Sequence, residues 1–182
     1  MRSEFVRELL DAASNAVGTV ETTRNSGPEI DAWLKYAKSE PGKAWCAAFV
    51  VFMHRIAAVS CDVLNPIPRT AGALQLYALS DERCRVDLPC PGDVFTLDTG
   101  EPGGAGHTGI VETVSPSGET IGSVEGNTNA EGSREGNAVA RHQWKPRTGK
   151  RGRLVGYLRF AVLLPEDAPL TFPPGLPPSP FK

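Results

Sequence analysis

The apolar residues of this 182-residue chain change their spacing about half-way along, and this change constrains the fold more than any other feature. In the first half they recur every three or four residues, which is typical of helices with one buried face. In the second half they lie in short runs separated by Gly- and Pro-rich turns, which is typical of strands. Helices followed by strands predict an α+β fold, with N-terminal helices packed on a C-terminal antiparallel sheet.

The individual elements follow from the same spacing. The first helix is predicted to start after Ser3 as N-cap. The longest apolar helix is predicted at residues 46–58, with Phe49, Val50, Met53 and Ile56 buried. Further helices are predicted around residues 30–37 and 71–79, and strands at 93–97, 108–114, 119–124, 137–144 and 154–163. Residues 1–164 are expected to form one domain, and the Pro-rich residues 165–182 a disordered or loosely docked tail.

Bulk properties exclude several classes of protein. The formal net charge is only -2, which argues against a general nucleic-acid binder. No apolar run reaches the length of a membrane span. The N-terminus carries charges where a signal peptide needs an apolar stretch, so we expect a protein made in the cytoplasm. The four cysteines lack metal-ligand spacing, and unpaired thiols are expected unless an oxidising compartment joins Cys84 to Cys90. No metal or cofactor is predicted.

Cys46 is the sharpest candidate for chemistry. It is predicted at the start of an apolar helix, just after the Pro41-Gly42 break. Free backbone N–H groups and the positive end of the helix dipole favour a thiolate there, and the same N–H groups could stabilise an oxyanion. The alternative is a small buried core residue, because free cysteine is among the most buried residue types.

A thiolate nucleophile needs a base, and the chain has three histidines. His54 is about 12 Å along the same predicted helix from Cys46, too far for proton transfer. His142 lies among basic residues, where a solvated surface role is expected. His107 opens a predicted strand after a Gly-rich segment, which allows it to face a helix N-terminus. Taken alone, a histidine in such a segment would more often be an exposed surface residue.

A third group should orient the imidazole. Glu125 and Asn127 end the next strand, and residues two apart share one face of a strand. Glu125 is the first choice because a carboxylate also stabilises imidazolium, and Asn127 is a helper or a polar wall of the site. Trp45 and Gly106 are the predicted substrate-binding residues. Trp45 is expected both to pack in the core and to line the substrate groove, and Gly106 to allow close approach beside His107.

Four motifs in order resemble the CHAP family of cysteine- and histidine-dependent amidohydrolases and peptidases, which have a papain-like fold. They are Trp-Cys-Ala-Ala-Phe-Val at 45–50, Pro-Gly-Asp-Val-Phe at 91–95, Gly-His-Thr-Gly-Ile-Val at 106–111 and Val-Glu-Gly-Asn at 124–127. The resemblance extends from about Glu21 to about Phe160. It implies that Cys46 is the nucleophile, His107 the base and Glu125 the residue orienting that base, with Asn127 beside it. It implies hydrolysis of peptidoglycan amides through a thioester, at the muramic acid–peptide bond or within the stem peptide.

Other readings stay open. A non-catalytic wall- or partner-binding module could keep the same fold, and so could a cysteine protease, deamidase or acyltransferase that acts on protein. Without an export signal, action at the wall or periplasm would follow phage lysis or specialised secretion, and a toxin would call for an inhibitor or immunity protein as partner. The basic residues between Arg141 and Arg153 are expected to form a solvated hairpin, and a nucleic-acid role for them is disfavoured.

Overall fold

The computed structural model describes residues 1–101, 105–129, 136–146 and 151–166. Within these ranges lie four α-helices, six strands and short 3-10 turns at Glu82–Cys84 and Phe160–Leu163. The helices are α1 Arg2–Ala16, α2 Pro28–Tyr36, α3 Cys46–Ser60 and α4 Ala73–Leu79. The strands are β1 Arg85–Val86, β2 Val94–Asp98, β3 Gly106–Val114, β4 Ile121–Thr128, β5 Ala138–Trp144 and β6 Arg153–Leu158.

The described strands form one antiparallel sheet in the order β1-β6-β2-β3-β4-β5. Helices come first along the chain and pack on this sheet, which confirms the predicted α+β class. Strand β3 lies between β2 and β4. His107, near the start of β3, pairs with Leu97 of β2, whereas the pairing of β3 with β4 begins at Ile110 and Val124. The backbone of His107 is therefore positioned by its pairing with β2.

The sheet has two different faces because side chains alternate along each strand. One face, which includes Val94, Ile110 and Val124, joins the helices in the main hydrophobic core. The other face carries a smaller cluster of Phe95, Leu97, Val111, Ile121 and Tyr157. By alternation from Ile110, His107 lies on this second face, and its ring is 6.2 Å from that of Phe95.

Helix α3 is the centre of the main core and is buried on nearly all sides. It packs against α1, α2, β3 and β4, and Phe49, Val50 and Met53 are buried as predicted. Ile56 is 38% exposed, so its predicted place in the core was wrong. A helix surrounded by other elements needs no single apolar stripe, and periodicity alone therefore misplaces residues such as Ile56.

Two predicted boundaries were also wrong. Helix α1 already begins at Arg2, with Met1 at the N-cap position, so Ser3 lies inside the helix and is not its N-cap. Strand β6 ends at Leu158 rather than at residue 163, because Arg159 turns to pair with Asp93 and Phe160 packs its ring on His54, 5.2 Å away. The short strand β1 was not predicted. Residues 167–182, most of the predicted tail, lie outside the described residues.

The structure also bears on the membrane and cysteine expectations. In the described ranges, no helix has both the length and the apolar character that a membrane crossing requires. All four cysteines are free thiols, with Cys84 buried and Cys90 exposed. The described residues contain no cluster of side chains that could hold a metal ion.

His54 is a buried histidine far from the predicted chemistry. Its side chain is fully buried, Nδ1 lies 2.9 Å from the Val50 carbonyl oxygen, and the ring contacts Phe5 and Phe160. Burial lowers its pKa to about 4, although the Val50 carbonyl opposes this shift. The folded protein therefore strongly prefers neutral His54.

We expect the free energy of unfolding to fall as the pH drops from about 6.5 towards 4, because His54 then binds a proton in the unfolded chain but stays neutral in the folded protein. The pKa shift corresponds to a loss of about 3 kcal/mol in the free energy of unfolding at the low end of this pH range. His54→Leu removes this titration, so the free energy of unfolding should depend less on pH in the variant between pH 6.5 and 4.5. Urea denaturation of both proteins across that range measures the difference, and parallel curves would contradict it.

Candidate functional site

Cys46 is the first residue of α3, as predicted, and is only 4% exposed. The preceding turn has Gly42 at a φ of 83°, a left-handed conformation that favours glycine, and the Gly42 N–H donates to the Asn25 carbonyl. The first bond within α3 runs from the Phe49 N–H to the Trp45 carbonyl. Among the described residues no side chain caps this helix start, so its N–H groups can act on a group beside Cys46.

Glu21 anchors the residue before Cys46. One carboxylate oxygen accepts the indole N–H of Trp45 at 2.8 Å, and the other accepts the backbone N–H of Asn25 at 2.8 Å. Trp45 is fully buried and packs against Trp33. Its side chain therefore supports the start of α3, whereas the groove-lining role expected for it would require an exposed surface.

A glycine lets the sheet approach this helix start. A Cβ placed on Gly126 of β4 would lie 2.7 Å from Cβ of Phe49 and 2.7 Å from Cζ3 of Trp45, closer than atoms can pack. Gly106 is similar on β3, since a Cβ there would lie 2.8 Å from Leu74 of α4. Both glycines are required by helix–sheet packing, Gly126 where β4 meets the first turn of α3 and Gly106 where β3 meets α4.

His107 links the helix start to the second face of the sheet. Its Nε2 lies 2.7 Å from Oε2 of Glu125, and the side chain is 2% exposed. Among the described residues Nδ1 has no standard hydrogen bond, but Cys46 lies near enough to act on the ring. Burial by itself lowers the pKa of His107, while Cys46 and Glu125 outweigh burial and raise it to about 9. The site thus favours the imidazolium form of His107, held by the Glu125 carboxylate.

Glu125 is completely buried and is surrounded by donors. Besides His107, it accepts the Ser123 hydroxyl at 2.6 Å and two guanidinium N–H groups of Arg151, at 2.8 Å and 2.6 Å. Burial opposes ionisation, but His107 and Arg151 outweigh it and hold the pKa of Glu125 far below its usual range. The carboxylate is therefore ionised and fixed in position, as a residue that orients an imidazole must be.

Asn127 lies close to this group in the chain but in a different backbone setting. The β4–β5 register shifts between Glu125 and Thr128, and Asn127 adopts a φ of 54°. Regular alternation along β4 is thus interrupted next to Glu125. Asn127 is buried, and its carbonyl accepts the Gly136 N–H at 3.2 Å.

The other two histidines differ from each other. His54 is separated from Cys46 along α3, as predicted, and lies in the core. His142 is only partly exposed rather than fully solvated, with Nε2 3.1 Å from the Thr128 hydroxyl. Burial lowers the pKa of His142, although Glu125 opposes the shift. His142 therefore borders the site from strand β5, where the charges of Glu125, Arg151 and His107 act on its ring.

Sequence reasoning missed Arg151, Ser123 and Trp144. Arg151 was assigned to a solvated hairpin, yet its side chain is only 17% exposed and pairs with Glu125. Ser123 precedes Glu125 by two residues on the same strand face, and this period-2 signal could have identified it. Trp144 donates its indole N–H to the Ser123 hydroxyl at 3.1 Å. Residues 147–150 of the basic stretch lie outside the described residues.

A cavity of about 660 Å³ opens at the strand ends near this group. Its described lining includes Asp98, Thr99, Gly100, Arg153 and Leu154 but neither Cys46 nor His107. Asp98 pairs with Gly106 in the sheet register, so the cavity begins one residue from His107 on the neighbouring strand. The cavity is therefore bounded by strands β2 and β6 and does not include the Cys46–His107–Glu125 group in its described lining.

Residues 37–127, half of the chain, match the CHAP domain family. The chain belongs to the CHAP domain family. The matched range contains Cys46, His107 and Glu125, while Glu21 and Arg151 lie outside this CHAP domain match. No curated protein matches the chain.

Two solved structures share the fold of this CHAP domain. One is the crystal structure of Ly7917, with a TM-score of 0.52 and 18% identity, covering 85% of this chain and 61% of that chain. The other is Ly7917 with the hydrolyzing product of MDP, with a TM-score of 0.51 and 17% identity, covering 85% and 62%. This chain therefore spans less than two thirds of the length of Ly7917, and at such identity the likeness concerns the fold.

Removing the anchor at Glu21 should weaken the helix start. We expect Glu21→Ala to lower the free energy of unfolding by about 1–3 kcal/mol, because the buried Trp45 indole N–H loses its acceptor. Glu21→Gln keeps an acceptor oxygen and should lose less. Glu40→Ala is the matched control, because Glu40 is exposed in the segment between α2 and α3. Urea denaturation followed by tryptophan fluorescence gives the comparison, and equal stability of Glu21→Ala and Glu40→Ala would contradict the expectation.

Proposed function

We propose that this CHAP domain hydrolyses amide bonds of bacterial peptidoglycan, with Cys46 as nucleophile, His107 as base and Glu125 as the residue that orients His107. The observation that carries the proposal is the position of His107, with Nε2 on a buried carboxylate and Cys46 close enough to raise its pKa. A thiol, an imidazole and an ionised carboxylate in this order form the arrangement that activates a nucleophile in acyl transfer.

The chemistry follows from the two ring nitrogens. Nε2 is held by Glu125, which leaves Nδ1 to take the thiol proton of Cys46. The thiolate sulfur attacks the amide carbonyl carbon, and the carbonyl oxygen becomes an oxyanion near the backbone N–H of Cys46. Imidazolium then returns its proton to the departing amine, and the C–N bond breaks to leave a thioester. Water, deprotonated by His107, attacks the thioester and releases the carboxylic acid and the thiol.

The substrate class rests on the family and on one neighbour. Ly7917, which shares this fold, was solved with the hydrolyzing product of MDP. We extend hydrolysis of a peptidoglycan fragment to this chain as part of the proposal. The bond would lie either between muramic acid and L-alanine or within the stem peptide.

Digestion of purified sacculi tests the proposal directly. Wild type should release soluble fragments, and Cys46→Ala should release them at least about 10⁴-fold more slowly because the nucleophile is gone. Cys61→Ala, which alters another buried thiol, should keep wild-type activity. Mass spectrometry of the fragments identifies the bond, since an amidase exposes L-alanine amino termini and an endopeptidase exposes termini within the stem peptide.

The negative outcomes separate the alternatives. If wild type and Cys46→Ala bind sacculi equally and neither protein cuts them, the chain is a non-catalytic wall-binding module and the enzyme hypothesis is wrong. If neither protein binds nor cuts, peptidoglycan is the wrong substrate, and digestion of generic protein substrates then tests a protein-directed cysteine enzyme.

The pH dependence of hydrolysis should reflect His107. Cys46 and Glu125 raise the pKa of His107 to about 9 against the effect of burial, so imidazolium persists up to that pH and is lost above it. We expect kcat/KM on sacculi to fall as the pH rises through about 9, because neutral His107 cannot protonate the leaving amine. In Glu125→Gln this descending limb should move to lower pH. A limb unchanged by that substitution would exclude His107 as its source.

A further inference from the structure

The carboxylate of Glu125 is held by a residue outside the family match. Arg151 places two guanidinium nitrogens on the two oxygens of Glu125, Nη1 on Oε1 at 2.8 Å and Nη2 on Oε2 at 2.6 Å. This is the bidentate fork that arginine forms with carboxylates and that lysine cannot reproduce. The pair is separated by 26 residues in the chain, and only 17% of the Arg151 side chain is exposed.

Two neighbours fix the fork in place. The guanidinium carbon of Arg151 lies 5.0 Å from the centre of the Trp144 ring, within the range of a cation–π contact. The indole N–H of Trp144 donates to Ser123, whose hydroxyl donates to Glu125. Trp144 thus supports the carboxylate by two routes, one through Arg151 and one through Ser123.

The charges of the site explain why a cation is needed there. When Cys46 has given its proton to His107, thiolate and carboxylate carry two negative charges and imidazolium carries one positive charge. These three side chains are at most 4% exposed, so water screens them little. A buried group of charges with a net charge is costly, and Arg151 brings the sum to zero.

We propose that Arg151 is a positioning residue of the site, which fixes the Glu125 carboxylate in the orientation that holds His107 and balances the charge of the thiolate–imidazolium pair. This inference rests on the proposed function. Arg151 acts through Glu125 and takes no part in bonds to the substrate. Its removal should therefore lower kcat and leave KM nearly unchanged.

A double-mutant cycle on sacculi tests this assignment. Arg151→Gln should lower kcat about 10- to 100-fold, the loss common when a residue that orients a functional ligand is removed. In a Glu125→Gln background, Arg151→Gln should lower kcat by less than about 3-fold, because the carboxylate that Arg151 positions is already absent. Arg141→Gln, which removes an exposed ion pair with Glu112 at 3.0 Å, is the matched control and should keep wild-type kcat.

Two outcomes would overturn the assignment. One is a kcat of Arg151→Gln within 2-fold of wild type, and the other is an equal loss in both backgrounds, which would mean that Arg151 acts independently of Glu125. If Arg151→Gln does not fold, Arg151→Lys keeps the charge without the fork. The kcat of Arg151→Lys should lie between that of wild type and that of Glu125→Gln. A kcat lower than that of Glu125→Gln would contradict the positioning role.

A substrate-free measurement separates this inference from the proposed function. In ¹⁵N-labelled Cys46→Ala protein at a pH where His107 is neutral, the single ring proton should reside on Nε2, because Nε2–H donates a hydrogen bond to Glu125. Adding Arg151→Gln should give a mixture of Nε2-H and Nδ1-H tautomers in the ring ¹⁵N shifts. An unchanged tautomer would count against the positioning role. A clear change would support it even if sacculi proved to be the wrong substrate.

Discussion

The close contact between the first turn of α3 and strand β4 is the constraint on which the rest of the site depends. Gly126 has no side chain, and a Cβ there would meet both Trp45 and Phe49 at 2.7 Å. This contact places the residue before the nucleophile candidate directly against the sheet. Because close-packed interiors transmit displacements of less than an ångström, the position of Cys46 relative to His107 is set by this packing.

The site is assembled from both faces of the sheet. The helix start belongs to the main core on one face, whereas His107 and Glu125 belong to the face of Phe95. The main core thus positions the thiol, and the second face builds a polar network around a buried carboxylate. Four hydrogen bonds from three side chains converge on the Glu125 carboxylate, and in a buried site of low dielectric each of them is stronger than it would be in water.

Support for the site comes from residues distant in sequence. Glu21 reaches the start of α3 from the segment after α1, and Arg151 reaches Glu125 from the start of the segment that leads into β6. Both lie outside the residues matched by the family. The matched segment therefore carries Cys46, His107 and Glu125, while flanking segments of this chain hold Trp45 and Glu125 in place.

The sequence by itself determined the α+β order, the helix that begins at Cys46 and the strand that begins beside His107, because these depend on local spacing and turn chemistry. Residues 45–50 and 106–111 also indicated the family. Only the tertiary structure decided that Ile56 is exposed, that β6 ends at Leu158 and that Arg151 pairs with Glu125. Burial and ion pairing depend on which segments distant in sequence come into contact, and a local sequence pattern does not specify those contacts.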